Sequence, residues 1–326
     1  MRTAIGDKRV RRSIQSIVLL FILVASLVGS VPAARALVPE GSLPPNTPVS
    51  NVEGVLPIPE AAASPVQNGA TGTGRLAPTA ETFVDPAEAK LPAIEATHPE
   101  SVIGADGRTQ VTTTGTYPYR AIAWLVVTWP GGSQATCTGW FYGPRTVATA
   151  GHCVYDYGGL GWATSIKVYP GRNGAGAPYG YTTSHRLFSV TGWTGSGNPN
   201  YDYGAIQVNA PKGNSVGWFG LKWQASNTFL GTYILSGYPG DKASGTQWKM
   251  AGTMGHVTAN RLWYQMDTFG GQSGSPVFKA GCTTYCSFGV HTYGVGLTPY
   301  IHMNSATRIT QAVFNNMVAW KNHAYP

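Results

Sequence analysis

Residues 137 to 155 have the sequence CTGWFYGPRTVATAGHCVY, which gives the strongest indication of the fold. The run RTVATA at 145–150 favours a β-strand, and the block TAGHC overlaps its end. His152 therefore stands where a strand ends, next to Cys153. A disulfide from that cysteine would hold the imidazole in place, although a single histidine in such a position is usually structural.

Similar β-favouring runs continue on both sides, and Gly, Pro and Asn turns separate them. They are AIAWLVVTW (121–129), SIKVYP (165–170), YGAIQV (203–208), GTYILSGY (231–238), RLWYQM (261–266), SPVF (275–278) and SFGVHTY (287–293). Near the carboxyl end, apolar residues at helical spacing predict one amphipathic helix over about 306–321, namely Ile309, Val313, Met317 and Trp320. The pattern predicts an all-β barrel or sandwich with a helix packed on it.

The amino terminus has the features of an export signal. A basic stretch precedes the apolar residues 17–31, and Ala34-Arg35-Ala36 fits a small-x-small cleavage site. We expect residues 1–36 to be a signal peptide and the product to be secreted and extracellular. An uncleaved anchor is the alternative, but the apolar stretch is short for a membrane span. No membrane association is expected after processing.

Residues 37–100 are rich in Pro, Ala, Gly and acidic residues and poor in aromatic ones. Such a composition buries too little apolar surface to offset the entropy of ordering, so we interpret this segment as an acidic propeptide. It carries eight acidic residues against Arg75 and Lys90, a net charge of −6. Residues 101–326 carry fourteen Lys or Arg and five Asp, a net charge of +9. We expect the propeptide to dock against this globular domain electrostatically.

A basic domain could indicate a nucleic-acid partner. Here, however, the Lys and Arg residues are scattered singly, without a clustered run, so no nucleic acid is expected. We expect a monomer.

The four cysteines lie in a chain predicted to be exported, where disulfides form. Three connectivities are open, and we favour local pairing of Cys137 with Cys153 and of Cys282 with Cys286. A zinc site with four thiolates is the alternative, but the spacing and the oxidising compartment disfavour it. No metal or cofactor is expected.

Hydrolysis by a serine needs a nucleophile, a neutral imidazole to take its proton, an acid to orient that imidazole, and backbone donors for the oxyanion. GGQSGSPVF at 270–278 surrounds Ser273 with glycines, which permit a tight turn and aim the amides of Gly271 and Ser273 at one point. NPNYDYGAI puts Asp202 before a strand. Each motif alone is most often a turn, yet His152, Asp202 and Ser273 in this order, each at a strand end, are hard to obtain by chance.

With these motifs the sequence resembles the trypsin-like serine proteases, most closely their branch of secreted bacterial glutamyl endopeptidases. The resemblance covers most of the chain from Ser101 onward. The blocks that carry it are SVIGADGRTQV (101–111), CTGWFYGPRTVATAGHCVY (137–155), YDYGAI (201–206), SGYPGDK (236–242), DTFGGQSGSPV (267–277) and GVHTYG (289–294).

The resemblance implies a chymotrypsin-like pair of six-stranded antiparallel β-barrels, the first at about 115–210 and the second at about 215–300. It places the active site between them and makes His152 the general base, Asp202 its orienter and Ser273 the nucleophile. Gln272 stands where Asn or Asp is common in the family, which should affect loop support more than chemistry.

Two interpretations of substrate specificity compete. Asp267 lies six residues before Ser273, where trypsin has the carboxylate that attracts Lys or Arg. In the glutamyl branch, a His and a Thr at the places of His291 and Thr268 bind the substrate's Glu carboxylate instead. A buried carboxylate needs fixed donors, and these two side chains supply them. Without the flanking block, His291 would be taken for an ordinary core histidine.

The distribution of glutamate favours the second interpretation. Residues 101–326 contain no Glu, and all seven Glu residues lie before Ser101. Selection against self-cleavage by a Glu-specific enzyme would leave this pattern, whereas a low overall charge is the bland account. The family-like start SVIG follows Glu100, so we hypothesise autocatalytic maturation at a Glu bond. The resemblance then places the freed amino terminus of Ser101 near the pocket.

The expected partners are therefore protein and peptide substrates that contain Glu, together with the chain's own propeptide. A secreted binding module that kept the fold without activity is the remaining alternative. It would be favoured if a triad residue were missing, and none is.

Overall fold

The computed structural model describes residues 43–60, 65–67, 91–94 and 99–326; the predicted signal peptide lies outside these residues. Four short strands come first in the chain: β1 (Pro48–Ser50), β2 (Gly54–Val55), β3 (Val66–Gln67) and β4 (Thr109–Gln110). The first three belong to the predicted propeptide.

The next strands form a closed barrel and a small hairpin. They are β5 (Ile122–Thr128), β6 (Gln134–Phe141), β7 (Thr146–Thr149), β8 (Tyr155–Asp156), β9 (Gly161–Trp162), β10 (Ser165–Pro170), β11 (Thr182–Val190) and β12 (Gly204–Val208). Six of them pair in the order β10-β5-β6-β7-β12-β11, and β10 also pairs with β11, which closes the barrel. β1 adds to β11 and β2 adds to β1.

The remaining strands form a second sheet that curls into a half-barrel. They are β13 (Gly220–Lys222), β14 (Tyr233–Gly237), β15 (Trp248–Gly252), β16 (His256–Val257), β17 (Arg261–Tyr264), β18 (Pro276–Ala280), β19 (Tyr285–Tyr293) and β20 (Asn304–Arg308). Their order is β16-β17-β20-β19-β18-β14-β15-β4, and β13 pairs with β19 and β3. The predicted all-β class is confirmed.

The α-helices of the described residues are α1 (Thr191–Thr194), α2 (Gly213–Val216) and the C-terminal α3 (Gln311–Asn322). α3 begins at 311 rather than at the predicted 306, because residues 304–308 pair as β20 with its neighbours. Thr310 accepts a hydrogen bond from the amide of Val313 and so caps the helix. The buried face of α3 packs into the core of the closed barrel, where Trp320 stacks on Phe188 at 5.6 Å between ring centroids.

Both disulfides have the predicted pairing. Cys137–Cys153 joins β6 to the turn that carries His152, and Cys282–Cys286 bridges the connection between β18 and β19. Within the described residues, no helix is both long and apolar enough to cross a membrane.

Candidate active site

His152 and Asp202 meet at the ends of two neighbouring strands of the closed barrel. His152 lies in a 3-10 turn after β7, and Asp202 lies two residues before β12. The Nδ1 atom of His152 is 2.7 Å from Oδ2 of Asp202, and the His152 amide donates to Oδ1 at 2.9 Å. Both contacts follow from the pairing of β7 with β12.

The two groups determine each other's charge. Burial raises the pKa of Asp202. The charge and hydrogen bonds of His152, together with a hydrogen bond from Tyr293, lower it by more than burial raises it, so the net pKa is below the usual range. Burial lowers the pKa of His152, whereas Asp202 and Glu100 raise it to a net value above the usual range. An ionised Asp202 therefore accepts a hydrogen bond from the protonated Nδ1 of His152, which leaves Nε2 as the basic atom.

Ser273 lies in a turn that only glycines permit. Gly271 and Gly274 have φ angles of 99° and 90°, in the left-handed region, and a Cβ on Gly274 would lie 2.0 Å from the Thr138 carbonyl oxygen. Thr138, on β6, donates its amide to the Ser273 carbonyl at 2.9 Å and its hydroxyl to the Gly271 carbonyl at 2.8 Å. The closed barrel thus holds the turn that carries the candidate nucleophile.

The link from Ser273 to His152 is interrupted in the full-length chain. The Ser273 hydroxyl donates to a carboxylate oxygen of Glu100, the residue before the predicted cleavage point. Nε2 of His152 is buried and has no hydrogen-bond partner among the described residues. Sequence reasoning missed this contact, because no local pattern indicates where the Glu100 side chain lies.

Thr268 and His291, the two residues of the candidate specificity pocket, are both fully buried. The His291 amide donates to Ser275 at 2.9 Å, and its carbonyl accepts from Gly274 at 2.7 Å, so His291 lies beside the nucleophile turn. Its Nε2 atom and the Thr268 hydroxyl are buried without a partner in the described structure. These two polar atoms can therefore each form a hydrogen bond with a bound ligand.

Tyr264 is a site residue that the sequence analysis did not identify. Its hydroxyl lies 2.6 Å from Nδ1 of His291. Burial raises the pKa of Tyr264 well above its usual value, so the hydroxyl keeps its proton. Burial, with the charge of Arg261, lowers the pKa of His291 to about 3, and the backbone of Ser305 opposes this only in part. The imidazole is therefore neutral at ordinary pH.

Asp267 is not available as a pocket-floor carboxylate. It is 1% exposed, and its two oxygens accept hydrogen bonds from the amides of Ile103 and Gly107, both at 2.8 Å. Ser101 lies nearby: its carbonyl accepts from the Thr268 amide at 3.1 Å and from the Asn304 side chain at 2.7 Å. The segment that begins at Ser101 thus packs behind the candidate specificity pocket.

Comparison with known proteins gives consistent results. The trypsin family model matches residues 111–313. The chain is 48% identical over 260 residues to a glutamyl endopeptidase of Bacillus licheniformis, covering 78% of each protein. It is 41% identical over 232 residues to a Bacillus subtilis protein named extracellular metalloprotease, covering 70% of this chain and 72% of the relative. A solved Glu endopeptidase in complex with MPD has a TM-score of 0.61 and 31% identity, covering 68% of this chain and 100% of that one.

The name of the second relative raises the question of a metal. Among the described residues, one group of three potential ligands lies close enough to hold an ion: Cys137, His152 and Cys153. The two sulfur atoms of that group are joined in a disulfide, which leaves one donor. A catalytic zinc needs three protein ligands, so the residues present do not fit one.

The extent of the family match and the identity to the Bacillus licheniformis enzyme decide the classification. The chymotrypsin-like fold agrees with them, since the closed barrel and the curled sheet match a solved member over its whole length. The chain belongs to the trypsin family of serine endopeptidases, in the group of the glutamyl endopeptidases.

Proposed function

We propose that the protein hydrolyses peptide bonds on the carboxyl side of Glu, and of Asp more slowly, through an acyl-enzyme on Ser273. The observation that carries the specificity is the pair of unsatisfied buried atoms, Nε2 of His291 and Oγ1 of Thr268. A buried donor without a partner costs about 1–3 kcal/mol, so such atoms are typical of a site completed by a ligand. A substrate carboxylate is an acceptor that satisfies both.

Two further observations support an acidic rather than a basic substrate. The carboxylate of Asp267 is occupied by two backbone amides, so it does not offer a free negative charge to Lys or Arg. Residues 101–326 contain no Glu but fourteen Lys or Arg, so a Glu-specific enzyme would spare its own domain. Asp binds less well than Glu, because one methylene in a pocket is worth about 1–3 kcal/mol.

The proposed mechanism assigns each residue one step. Nε2 of His152 takes the Ser273 proton as the hydroxyl oxygen attacks the substrate carbonyl, and Asp202 stabilises the imidazolium that forms. The amides of Gly271 and Ser273 stabilise the oxyanion; one such donor contributes about 3 kcal/mol in a comparable site. His152 then protonates the leaving amine, and water releases the acyl group by the reverse sequence.

The proposal includes a secreted precursor. Residues 1–36 direct export, residues 37–100 form the propeptide, and cleavage of the Glu100–Ser101 bond by another molecule of the same enzyme gives the mature domain. The two disulfides support an oxidising destination.

Two chromogenic peptides that differ only in ending with Glu or Arg test the specificity. We expect the mature domain to release the chromophore from the Glu peptide and the Ser273→Ala variant to release none. Faster release from the Arg peptide would refute the pocket assignment. Absence of fluorophosphonate labelling at Ser273 would instead favour an inactive binding module.

Self-processing is tested with the full-length Ser273→Ala variant in a host without related proteases. We expect this variant to stay uncut until active enzyme is added. A normal Ser101 terminus without added protease would refute self-processing.

A further inference from the structure

Part of the segment before Ser101 lies along the edge of β6. Ala93 forms a parallel bridge with Thr136; the Ile94 amide donates to the Thr136 carbonyl at 2.9 Å, and the Thr136 amide donates to Pro92 at 2.7 Å. The Ala93 methyl carbon would be 3.4 Å from a Cβ built on Gly271. This part of the segment therefore covers the glycine that we assign to the oxyanion site.

A second part of the segment lies over the nucleophile. The Pro99 carbonyl and the Glu100 Cα would be 1.9 Å and 2.7 Å from a Cβ on Gly294, so the chain passes against a glycine just beyond β19. Glu100 is only 3% exposed, and one of its carboxylate oxygens accepts a hydrogen bond from the Ser273 hydroxyl. A proton held there is not shared with His152, so the nucleophile is not activated.

The order of these contacts gives the direction of the chain. Because His152 must protonate the leaving amine, we place the leaving-group half of a substrate on the side of the Cys137–Cys153 disulfide, which joins the His152 turn to β6. The acyl half lies on the side of Thr268 and His291. A substrate runs from the acyl half to the leaving-group half. This segment instead runs from Pro92 at β6 to Ser101 at Thr268.

We propose that the cleft also binds an acidic peptide in the direction opposite to a substrate, and that the propeptide segment that includes Ala93 and Glu100 is its ligand. Held this way, the peptide places a carboxylate rather than a carbonyl carbon at Ser273. A peptide bound in this direction inhibits the enzyme and is not cut. The proposal rests on the proposed role of Ser273.

The full-length chain tests the proposal through the rate at which a fluorophosphonate labels Ser273, measured on the uncut chain by intact mass. The Glu100 side chain supplies the contact that occupies Ser273, so Glu100→Ala, which removes that contact, should label about tenfold faster than the unaltered precursor. Ala93→Arg clashes with the cleft and should do the same. Val52→Arg, at a 61% exposed position of the same propeptide, is the matched control and should leave the rate unchanged.

Labelling of Ala93→Arg at the unaltered rate would overturn the proposal. The mature domain serves as the reference, since it should label fastest. If the mature domain resists the reagent, the proposed function fails, and the inference that rests on it fails as well.

The direction is tested with two synthetic peptides added to the mature domain, residues 91–102 and residues 95–102, both with Glu95→Gln to remove a competing cleavage site. The longer peptide should bind in reverse, slow the labelling of Ser273 and be cut at Glu100–Ser101 about tenfold more slowly than the shorter one. Equal cutting of both peptides, or equal protection by both or neither, would overturn the proposal.

Discussion

The contact between Tyr264 and His291 determines which ring nitrogen of His291 carries the proton in the candidate specificity pocket. A neutral imidazole carries one ring proton, and it can donate to a substrate carboxylate from Nε2 only if Nδ1 is unprotonated, a tautomer that a hydrogen bond donated to Nδ1 favours. The Tyr264 hydroxyl lies 2.6 Å from Nδ1 and keeps its proton, so it is the required donor. We therefore assign Tyr264 the role of a positioning residue for His291.

Tyr264→Phe removes this donor without changing the shape of the pocket. We expect kcat/KM for the Glu substrate to fall about tenfold, mainly through KM, because one hydrogen bond is worth about 1 kcal/mol and more when it orients a charged contact. Fluorophosphonate labelling of Ser273 should be unchanged, since it does not use the pocket. An equal loss in both assays would indicate a merely structural role.

Asp267 is the second residue whose role is decided by its contacts. Asp267→Asn weakens the two hydrogen bonds from the amides of Ile103 and Gly107, so we expect the free energy of unfolding to fall by about 1–3 kcal/mol in urea titrations. Cleavage of the Arg peptide should stay at background in both proteins. A drop in Arg cleavage on substitution would instead restore the trypsin-like interpretation.

At the scale of elements, α3 is the part of the mature domain whose attachment is easiest to measure. Trp320 is 1% exposed, stacks on Phe188 and lies 5.7 Å from the ring of Tyr203. Trp320→Ala should destabilise the mature domain by about 3–5 kcal/mol, because a large buried ring leaves a cavity. Trp320→Phe fills part of that cavity and should cost less. Calorimetry measures both variants. An equal loss of unfolding free energy in Trp320→Ala and Trp320→Phe would show that packing of the ring on the barrel does not cause the destabilisation.

The strands differ in how well they could be predicted. β5 and β10 are continuous or alternating apolar runs, which match their burial in the barrel, and they were predicted. β6, β11 and β20 were missed, because QATCTGWF, TTSHRLFSV and NSATR contain many polar residues. They become strands because each pairs on both edges, and local composition does not report such long-range pairing.

At the scale of the whole molecule, the protonation of Glu100 is coupled to the docking of the propeptide on the domain. Burial raises the pKa of Glu100 from 4.5 to about 6 against the hydrogen bond of Ser273 and the charge of His152, with Asp202 adding a smaller increase. Tyr264 and Tyr293 also lie close enough to interact with it. The docked carboxyl group holds its proton to a higher pH than the undocked one. Docking of the propeptide is therefore strongest below pH 4.5 and weakest above about pH 6.

This predicts a pH-dependent release of the nucleophile. A shift of about 1.5 pKa units corresponds to about 2 kcal/mol, so labelling of the uncut precursor relative to the mature domain should rise steeply between pH 4.5 and about 6. Division by the mature rate corrects for the part of the His152 titration that the precursor and the mature domain share. The same ratio for Glu100→Gln should not rise in this window. A parallel rise in that variant would exclude Glu100 as the titrating group.

The sequence by itself determined the all-β class and the candidate site residues, because strand periodicity, turn glycines and short motifs are local properties. It favoured one disulfide pairing of three, and the structure decided it. Only the tertiary structure decided which groups those residues contact. Tyr264 lies at His291, two amides donate to Asp267, and Glu100 accepts a hydrogen bond from the Ser273 hydroxyl. The physical reason is that each of these contacts joins residues 27 to 173 positions apart, and only the pairing of distant strands brings such residues together.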